Sequence, residues 1–322
     1  MNLDSLEIEK ILEEDVLESK SGKVREVFLG ATKCALVASD RISAFDRHWG
    51  YVRGKGRILN TISQWWFKQL ATLEDCHKIP THWIPSTVFD HVESESNSSK
   101  SKIGEKIMVC RRTTPIMIEF VVRGYLTGSS QTSIWTYYQR GVRNYCGETL
   151  PDGLKKHQQL PEVIVTPTTK EASDRCISGE EIVRLGLLSK SEWEWCRDSC
   201  LRLFDWGSKI CQQRGLILVD TKYEFGRDPS GNIILIDELH TPDSSRFWIR
   251  DSYRSRLDAD LEPDNLNKEF LRLWIKSHGL LDRVDSSGDK SCDIDELELP
   301  PEVLLETGKR YQRFEELLLN SL

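Results

Sequence analysis

Apolar positions recur at two different spacings along the chain, and the change of period separates strand-rich from helix-rich stretches. Leu3, Leu6, Ile8, Ile11, Leu12 and Val16 stand among acidic residues and predict a short amphipathic helix over 3–19. From Gly22 to Val52 the pattern turns to strands: Val24, Val27 and Phe28, then Cys34 to Ala38. Leu59, Ile62, Trp66 and Leu70 return to helical spacing and predict a helix over 58–70. Strands are expected over 103–109 and 116–122, flanking Arg111-Arg-Thr-Thr-Pro115. That proline break marks a hinge between two lobes, 1–112 and 113–322. Over 177–214, Ile182, Leu185, Leu188, Trp195, Leu201, Phe204 and Ile210 predict one or two helices. Two more are expected over 270–278 and 303–319, inside a helical C-terminal stretch of 261–322. The Ser/Lys-rich tract 94–102 and the acidic tract 285–298 read as loops. Strand runs followed by helices favour an α+β fold over a doubly wound sheet.

The sharpest pattern lies in Leu216-Ile-Leu-Val-Asp-Thr-Lys-Tyr-Glu-Phe-Gly226 and Asn232-Ile-Ile-Leu-Ile-Asp-Glu238. Turn residues Asp228-Pro-Ser-Gly231 join these two apolar runs, which makes a β-hairpin. Side chains alternate faces along a strand, so Asp220, Lys222 and Glu224 share one face while Tyr223 and Phe225 share the other. Three charges on one face of an otherwise aliphatic strand indicate either a cleft or a solvated sheet edge. Asp237 and Glu238 end the return strand, and Ser244, Ser245 and Arg246 follow at once. Carboxylates for a metal and a hydroxyl–guanidinium cluster for a phosphate thus lie within one hairpin.

Composition narrows the function classes. The 322 residues are 39% hydrophobic and 30% charged, which is ordinary globular composition with room for two domains or one two-lobed unit. A net charge of −7 argues against a general nucleic-acid binder, though local basic pockets for small anions remain open. No apolar run approaches a membrane span and the acidic start lacks a signal-peptide core, so neither membrane nor nucleic acid is an expected partner. Nine scattered cysteines without a CxxC pair suggest reduced thiols in a cytoplasmic protein. His77, His82 and His91 sit apart and read as surface or structural residues. Gly50 to Lys55 is too short for a Walker A loop, Gly54-Lys-Gly56 lacks the third glycine of a dinucleotide fingerprint, and no protein-kinase catalytic loop appears.

Other polar blocks sit at strand ends. Gly22-Lys-Val-Arg-Glu-Val-Phe28 puts Lys23 and Arg25 at strand spacing on one face, which suits a polyphosphate or an ordinary salt-bridged strand. Ser39-Asp-Arg-Ile-Ser-Ala-Phe-Asp46 follows an apolar strand, Glu119 to Ser129 ends another with an arginine and two glycines, and Val163 to Lys170 delivers a lysine after a proline-stiffened segment.

In this order, the blocks GKVRE, SDRISAFD, KGRILN, VVRGYLTGS, TPTTK, DTKYEFG and DE-x2-TPDSSRFW closely resemble the phosphoribosylaminoimidazole-succinocarboxamide synthase (SAICAR synthetase) family. The resemblance runs from about Gly22 to Trp248, more loosely into the C-terminal helices. It departs at Val52-Arg-Gly-Lys-Gly56, where many relatives carry a proline, and the tract 94–102 has no counterpart. The resemblance implies a two-lobed, ATP-grasp and kinase-related α+β fold with mostly antiparallel sheets. It implies a ligase in which ATP phosphorylates the carboxylate of carboxyaminoimidazole ribonucleotide and the amine of L-aspartate displaces the phosphate. Under it, Lys23, Arg25 and Glu119 would serve ATP, and Glu224 and Asp237 would hold Mg²⁺. Arg123, Ser129, Ser245 and Arg246 would hold the 5′-phosphate end of the ribonucleotide, with Lys170, Asp220 and Lys222 near the imidazole and its carboxylate. Asp220 and Lys222 would be the catalytic pair, and Asp40, Arg41 and Ser43 would shape the substrate end. Small-molecule substrates and a monomer or homodimer are expected. A kinase-like phosphotransferase acting on a small anion is the competing reading, and an inactive nucleotide-binding module is a third.

Overall fold

The computed structural model describes residues 5–73, 79–85, 104–170, 175–281 and 299–320. The tracts 94–102 and 285–298 lie outside them. The described chain divides into two compact units. The first holds 1–115, 226–241 and 294–312, and the second holds 116–225, 242–293 and 313–322. The first unit therefore takes in the end of the main hairpin and part of the last helix, beyond the stretch 1–112 expected for one lobe.

The first unit is built on a four-stranded antiparallel sheet. Helix α1 (Ser5–Leu12) is shorter than the 3–19 pattern suggested, because Glu18–Ser21 already forms strand β1. Then come β2 (Arg25–Leu29), β3 (Lys33–Ala38), the small hairpin β4 (Arg41–Ala44) and β5 (Arg47–Tyr51), helix α2 (Lys55–Ala71) and β6 (Ile107–Arg111). The sheet order is β1-β2-β3-β6. Alternation gives its two faces different partners. Phe28, Ala35, Val37, Ile107 and Val109 pack with Ile8 and Leu12 of α1. Register pairs Arg25 with Ala38, Val27 with Leu36 and Leu36 with Met108, so these residues share the opposite face. Asn60 of α2 ties that helix to the sheet by donating to the carbonyls of Glu105 and Ile107, at 2.8 and 3.0 Å.

The second unit carries most of β7 (Thr114–Tyr125), then α3 (Ile134–Gln139), the hairpin β8 (Asn144–Tyr145) and β9 (Glu148–Thr149), and β10 (Gln159–Thr169). Helices α4 (Gly179–Arg184) and α5 (Lys190–Gln213) lead into β11 (Leu216–Arg227), which runs from the second unit into the first. After the turn comes β12 (Ile233–Ile236), followed by β13 (Ser245–Ile249), α6 (Arg250–Asp258), α7 (Glu269–Ser277) and α8 (Pro301–Leu319). In the second unit β7 lies between β10 and β11, and β13 pairs antiparallel with the first half of β11. A Ser189–Glu192 capping box starts α5. The helix buries Cys196, Cys200, Leu203, Phe204 and Cys211, a stripe at helical spacing. Tyr223 and Phe225 are fully buried on the α5 side of β11, where Phe225 meets Trp195 and Phe120 edge-on. This is the face assigned to them by alternation.

Candidate active site

Because the aromatics of β11 point into the core, Asp220, Lys222 and Glu224 face the other way, and every one of them meets an opposite charge. Arg246 of β13 stands directly across from Asp220 in the register and donates to its carboxylate at 2.6 Å. Arg123 of β7 approaches the same carboxylate at 3.5 Å and donates to the Thr166 hydroxyl at 2.9 Å. Lys222 lies 3.3 Å from Glu119 and also pairs with Glu224, which in turn pairs with Lys170. The second unit thus gathers Glu119, Arg123, Lys170, Asp220, Lys222, Glu224 and Arg246 on one side of its sheet, all named from sequence.

One member of this row was not anticipated. Glu269, in the first turn of α7, accepts from Arg246 and Arg272 at 3.2 Å each. Burial alone would raise its pKa, but the charges of Arg246 and Arg272 overcome that and hold it at about 2. The same carboxylates push the Arg246 guanidinium further up, against the effect of its burial. A glutamate opening an ordinary amphipathic helix gives no local sign of such a role. The neighbouring loop after β7 is also held by polar contacts. The Thr127 hydroxyl lies 2.9 Å from His157 Nδ1, and His157 Nε2 lies 3.0 Å from Glu262. The Ser129 carbonyl accepts from Lys276 at 3.3 Å.

Ser245 sits differently from Arg246. Its hydroxyl is buried and lies 2.7 Å from the Thr221 hydroxyl, its register partner. Thr221 alternates with Asp220 and Lys222, so this pair belongs to the opposite side of the sheet from the charged row.

In the first unit, Arg25 pairs with both Asp237 and Glu238, the two acids that follow β12. Asp237 adopts a left-handed backbone, φ 66°, uncommon for a residue other than glycine. Its carbonyl oxygen is 3.1 Å from Nε2 of the buried His82. Burial lowers the His82 pKa to about 4, outweighing the nearby Asp237 charge. Leu36, Ala38, Leu59, Met108, Asn60 and Ser63 line a shallow cleft, with Arg25 and Glu238 among its walls. Sequence alternation placed Lys23 beside Arg25, and the structure corrects this. Strand β2 begins only at Arg25, and Lys23 lies in the turn after β1, where Gly22 N–H donates to the Arg25 carbonyl at 2.7 Å. The Lys23 side chain is 61% exposed and pairs with Asp46, whereas that of Arg25 is 14% exposed.

Of the remaining predicted residues, Asp40 organises the entry to α2. Asp40 accepts from Gly54 N–H and Gly56 N–H at 3.3 and 2.9 Å and pairs with Lys106 at 3.0 Å. These contacts overcome burial and lower its pKa. Arg41 pairs with Glu26 at 2.6 Å and donates to the Gly22 and Lys23 carbonyls. Ser43 lies in β4 opposite His48.

The expected metal ligands can be tested by donor chemistry. Glu224 and Asp237 are carboxylates, the ligand type Mg²⁺ selects, and one or two suffice when water and phosphate oxygens complete the shell. Among the described residues no group of three or more His, Cys, Asp or Glu side chains forms a ready-made metal site. Glu224 belongs to the second unit, where Lys170 and Lys222 hold it, and Asp237 belongs to the first, where Arg25 holds it.

Comparison with known proteins places the chain in a family. The SAICAR synthetase family model matches residues 18–284. A phosphoribosylaminoimidazole-succinocarboxamide synthase of Legionella pneumophila (strain Lens) is 47% identical over 258 residues, 80% of this chain and 76% of that protein. A chloroplastic relative from Vigna aconitifolia is 44% identical, over 80% of this chain and 70% of its own length. Among solved structures, the Saccharomyces cerevisiae SAICAR-synthase complexed with SAICAR superposes with a TM-score of 0.74 at 29% identity, covering 96% of this chain and 95% of that one. A type-2 SAICAR synthetase in complex with ADP shares the fold, with a TM-score of 0.64 at 22% identity, covering 94% and 98%. The charged row on β11 and the acid pair after β12 are therefore features of a chain that belongs to the SAICAR synthetase family.

Proposed function

We propose that this chain joins the carboxylate of carboxyaminoimidazole ribonucleotide to the amine of L-aspartate at the expense of ATP, through an acyl phosphate. The family's reaction is this ATP-dependent ligation, in purine biosynthesis. One observation carries the assignment of residues: the alternating charges on the polar side of β11 are held by Arg123, Arg246, Lys170 and Glu119 from neighbouring segments. Cations fixed in advance by carboxylates can exchange those partners for an anionic substrate with little reorganisation. Activating a carboxylate needs charge neutralisation and alignment of two anions more than a protein nucleophile. No step requires a Ser-His-Asp or Cys-His set.

In this reading the second unit takes the ribonucleotide. Arg246, Arg123 and Ser129 clasp its 5′-phosphate. Lys170 and Lys222 face the imidazole carboxylate, and Asp220 positions the two guanidiniums to which it is bound. The first unit takes the nucleotide, with Arg25 and Lys23 serving the phosphates. Glu224 and Asp237 would hold Mg²⁺, which neutralises phosphate oxygens when bound. Asp40 supports the start of α2, and Arg41 braces the β1–β2 turn. No helix among the described residues is long and apolar enough to cross a membrane, and the identified cysteines are free thiols, which fits a reducing, cytoplasmic setting.

ADP formation measured with each co-substrate omitted in turn tests the reading. Turnover should require both the ribonucleotide and L-aspartate. Full-rate ADP release without L-aspartate would favour a phosphotransferase instead.

A further inference from the structure

Two thiols of the second unit lie against the same end of β10. Cys146 is the first turn residue of the β8–β9 hairpin, where Cys146 and Gly147 have φ of 56° and 88°, the type I′ geometry of a two-residue turn. Cys176 forms an isolated antiparallel bridge with Thr168, beyond the end of β10. The two sulfurs converge on one stretch of that strand. Cys146 Sγ lies 3.7 Å from the Pro167 carbonyl oxygen, to which Ile177 N–H also donates at 3.1 Å. Cys176 Sγ lies 3.2 Å from the hydroxyl of Tyr145, the residue that precedes Cys146. Both are free and partly exposed, packed on the apolar cluster of Leu126, Ile134 and Tyr138.

We propose that Cys146 and Cys176 form an oxidation site for a small peroxide, with Cys176 as the attacking thiolate and Cys146 as the resolving thiol. The Cys176 sulfur attacks one peroxide oxygen, the O–O bond breaks, and the departing hydroxide takes up a proton as water. The sulfur is oxidised to a sulfenic acid and the peroxide is reduced. The Cys146 sulfur then attacks the sulfenic sulfur, the S–O bond breaks, and the hydroxyl leaves as water with the thiol proton. Two thiols and one hydrogen peroxide give one disulfide and two waters. Local electrostatics favour this direction. The neighbouring Cys146 thiol and, beyond it, the Arg123 charge hold the Cys176 thiol below its ordinary range, against burial. Arg123 lies 5.9 Å from the centre of the Tyr145 ring. A thiolate near a cation, partly exposed and next to a second thiol, is the setting of reactive cysteines.

A second thiol pair provides an internal control. Cys34 and Cys110 face each other directly across β3 and β6, but both are buried, and burial drives the Cys110 thiol upward. They lack a solvent approach.

The test is a thiol map of the native protein after brief exposure to hydrogen peroxide, followed by alkylation under denaturing conditions, digestion and mass spectrometry. The expected product is a peptide pair linked through Cys146 and Cys176, restored by dithiothreitol, with Cys34 and Cys110 still alkylated. In Cys146→Ser the sulfenic acid should persist on Cys176 and be trapped by dimedone. In Cys176→Ser no adduct should appear on Cys146. Native Cys176 should also react with iodoacetamide at neutral pH about tenfold faster than Cys146. Absence of the 146–176 link in the wild-type protein overturns the proposal whether or not the variants fold, as does faster oxidation of Cys34 and Cys110.

Discussion

Arg246 and Ser129 separate two strengths of contact that one anion could receive. Unit charges ~4 Å apart at an effective dielectric of ~20 interact by about 4 kcal/mol before desolvation, while a neutral hydroxyl contributes nearer ~1 kcal/mol. Arg246→Ala should therefore weaken ribonucleotide binding far more than Ser129→Ala in titration calorimetry, and equal losses would count against a phosphate role for Arg246. Removing the guanidinium also takes one partner from each of Asp220 and Glu269, leaving them Arg123 and Arg272. Arg246→Lys is the companion variant, since it keeps the charge while losing the planar fork that meets both acids. Asp237 supports a second prediction. Asp237→Asn should abolish turnover yet leave the circular dichroism spectrum and thermal midpoint close to wild type, because Arg25 keeps Glu238 as a partner. A near-normal rate in magnesium would remove Asp237 from the metal set.

Elements explain which of these residues could be read in advance. Strand β11 was legible because period two is robust when one face is aromatic and buried: Tyr223 and Phe225 fix the orientation, and Asp220, Lys222 and Glu224 follow from it. Lys23 failed the same test because alternation needs an unbroken strand, and Gly22 turns the chain there instead. Glu269 and His82 were illegible as members of their clusters because their partners, Arg246 and Asp237, lie far away in sequence. The cysteines of α5 were legible only as thiols, although Cys196, Cys200 and Cys211 serve as small apolar core residues. Helix α2 yields a prediction of this kind. A Cβ on Gly56 would stand 2.4 Å from the Ala38 carbonyl oxygen, a backbone atom that cannot swing aside, whereas one on Gly54 meets nothing within 4 Å. Gly54 instead has φ 80°, so its substitution is strained by backbone alone. Gly56→Ala should cost several kcal/mol in urea unfolding and Gly54→Ala about 1–2 kcal/mol. The reverse order would mean that α2 does not press on β3 as closely as described.

At the scale of the whole molecule, the two units should fail in acid at different pH. The first contains His82 and His240, both buried, with burial lowering their pKa values to about 4 and about 3. The unfolded chain takes up protons at these positions near pH 6.5, before the folded unit can. Their contribution is therefore complete above pH 6.5 and is lost as pH falls towards 4 and then 3. For His82 the limit is on the order of 3 kcal/mol. The second unit contains Glu269, whose pKa of about 2 lies below the ordinary carboxylate value of 4.5. That contribution stays intact above pH 4.5 and disappears only as pH falls towards 2. Hydrogen exchange followed by mass spectrometry resolves the units peptide by peptide. Between pH 6.5 and 4.5, after correction for intrinsic exchange rates, protection should fall in peptides from β3, β6 and α2 while those from β10, β11 and α5 hold. His82→Gln, which keeps a neutral donor, should flatten the loss in the first unit. Glu269→Gln should lower the stability of the second unit near neutral pH and remove part of its dependence below 4.5. Parallel loss of protection in both units through pH 6 to 5 would show that neither buried histidine sets the acid limit of its own unit.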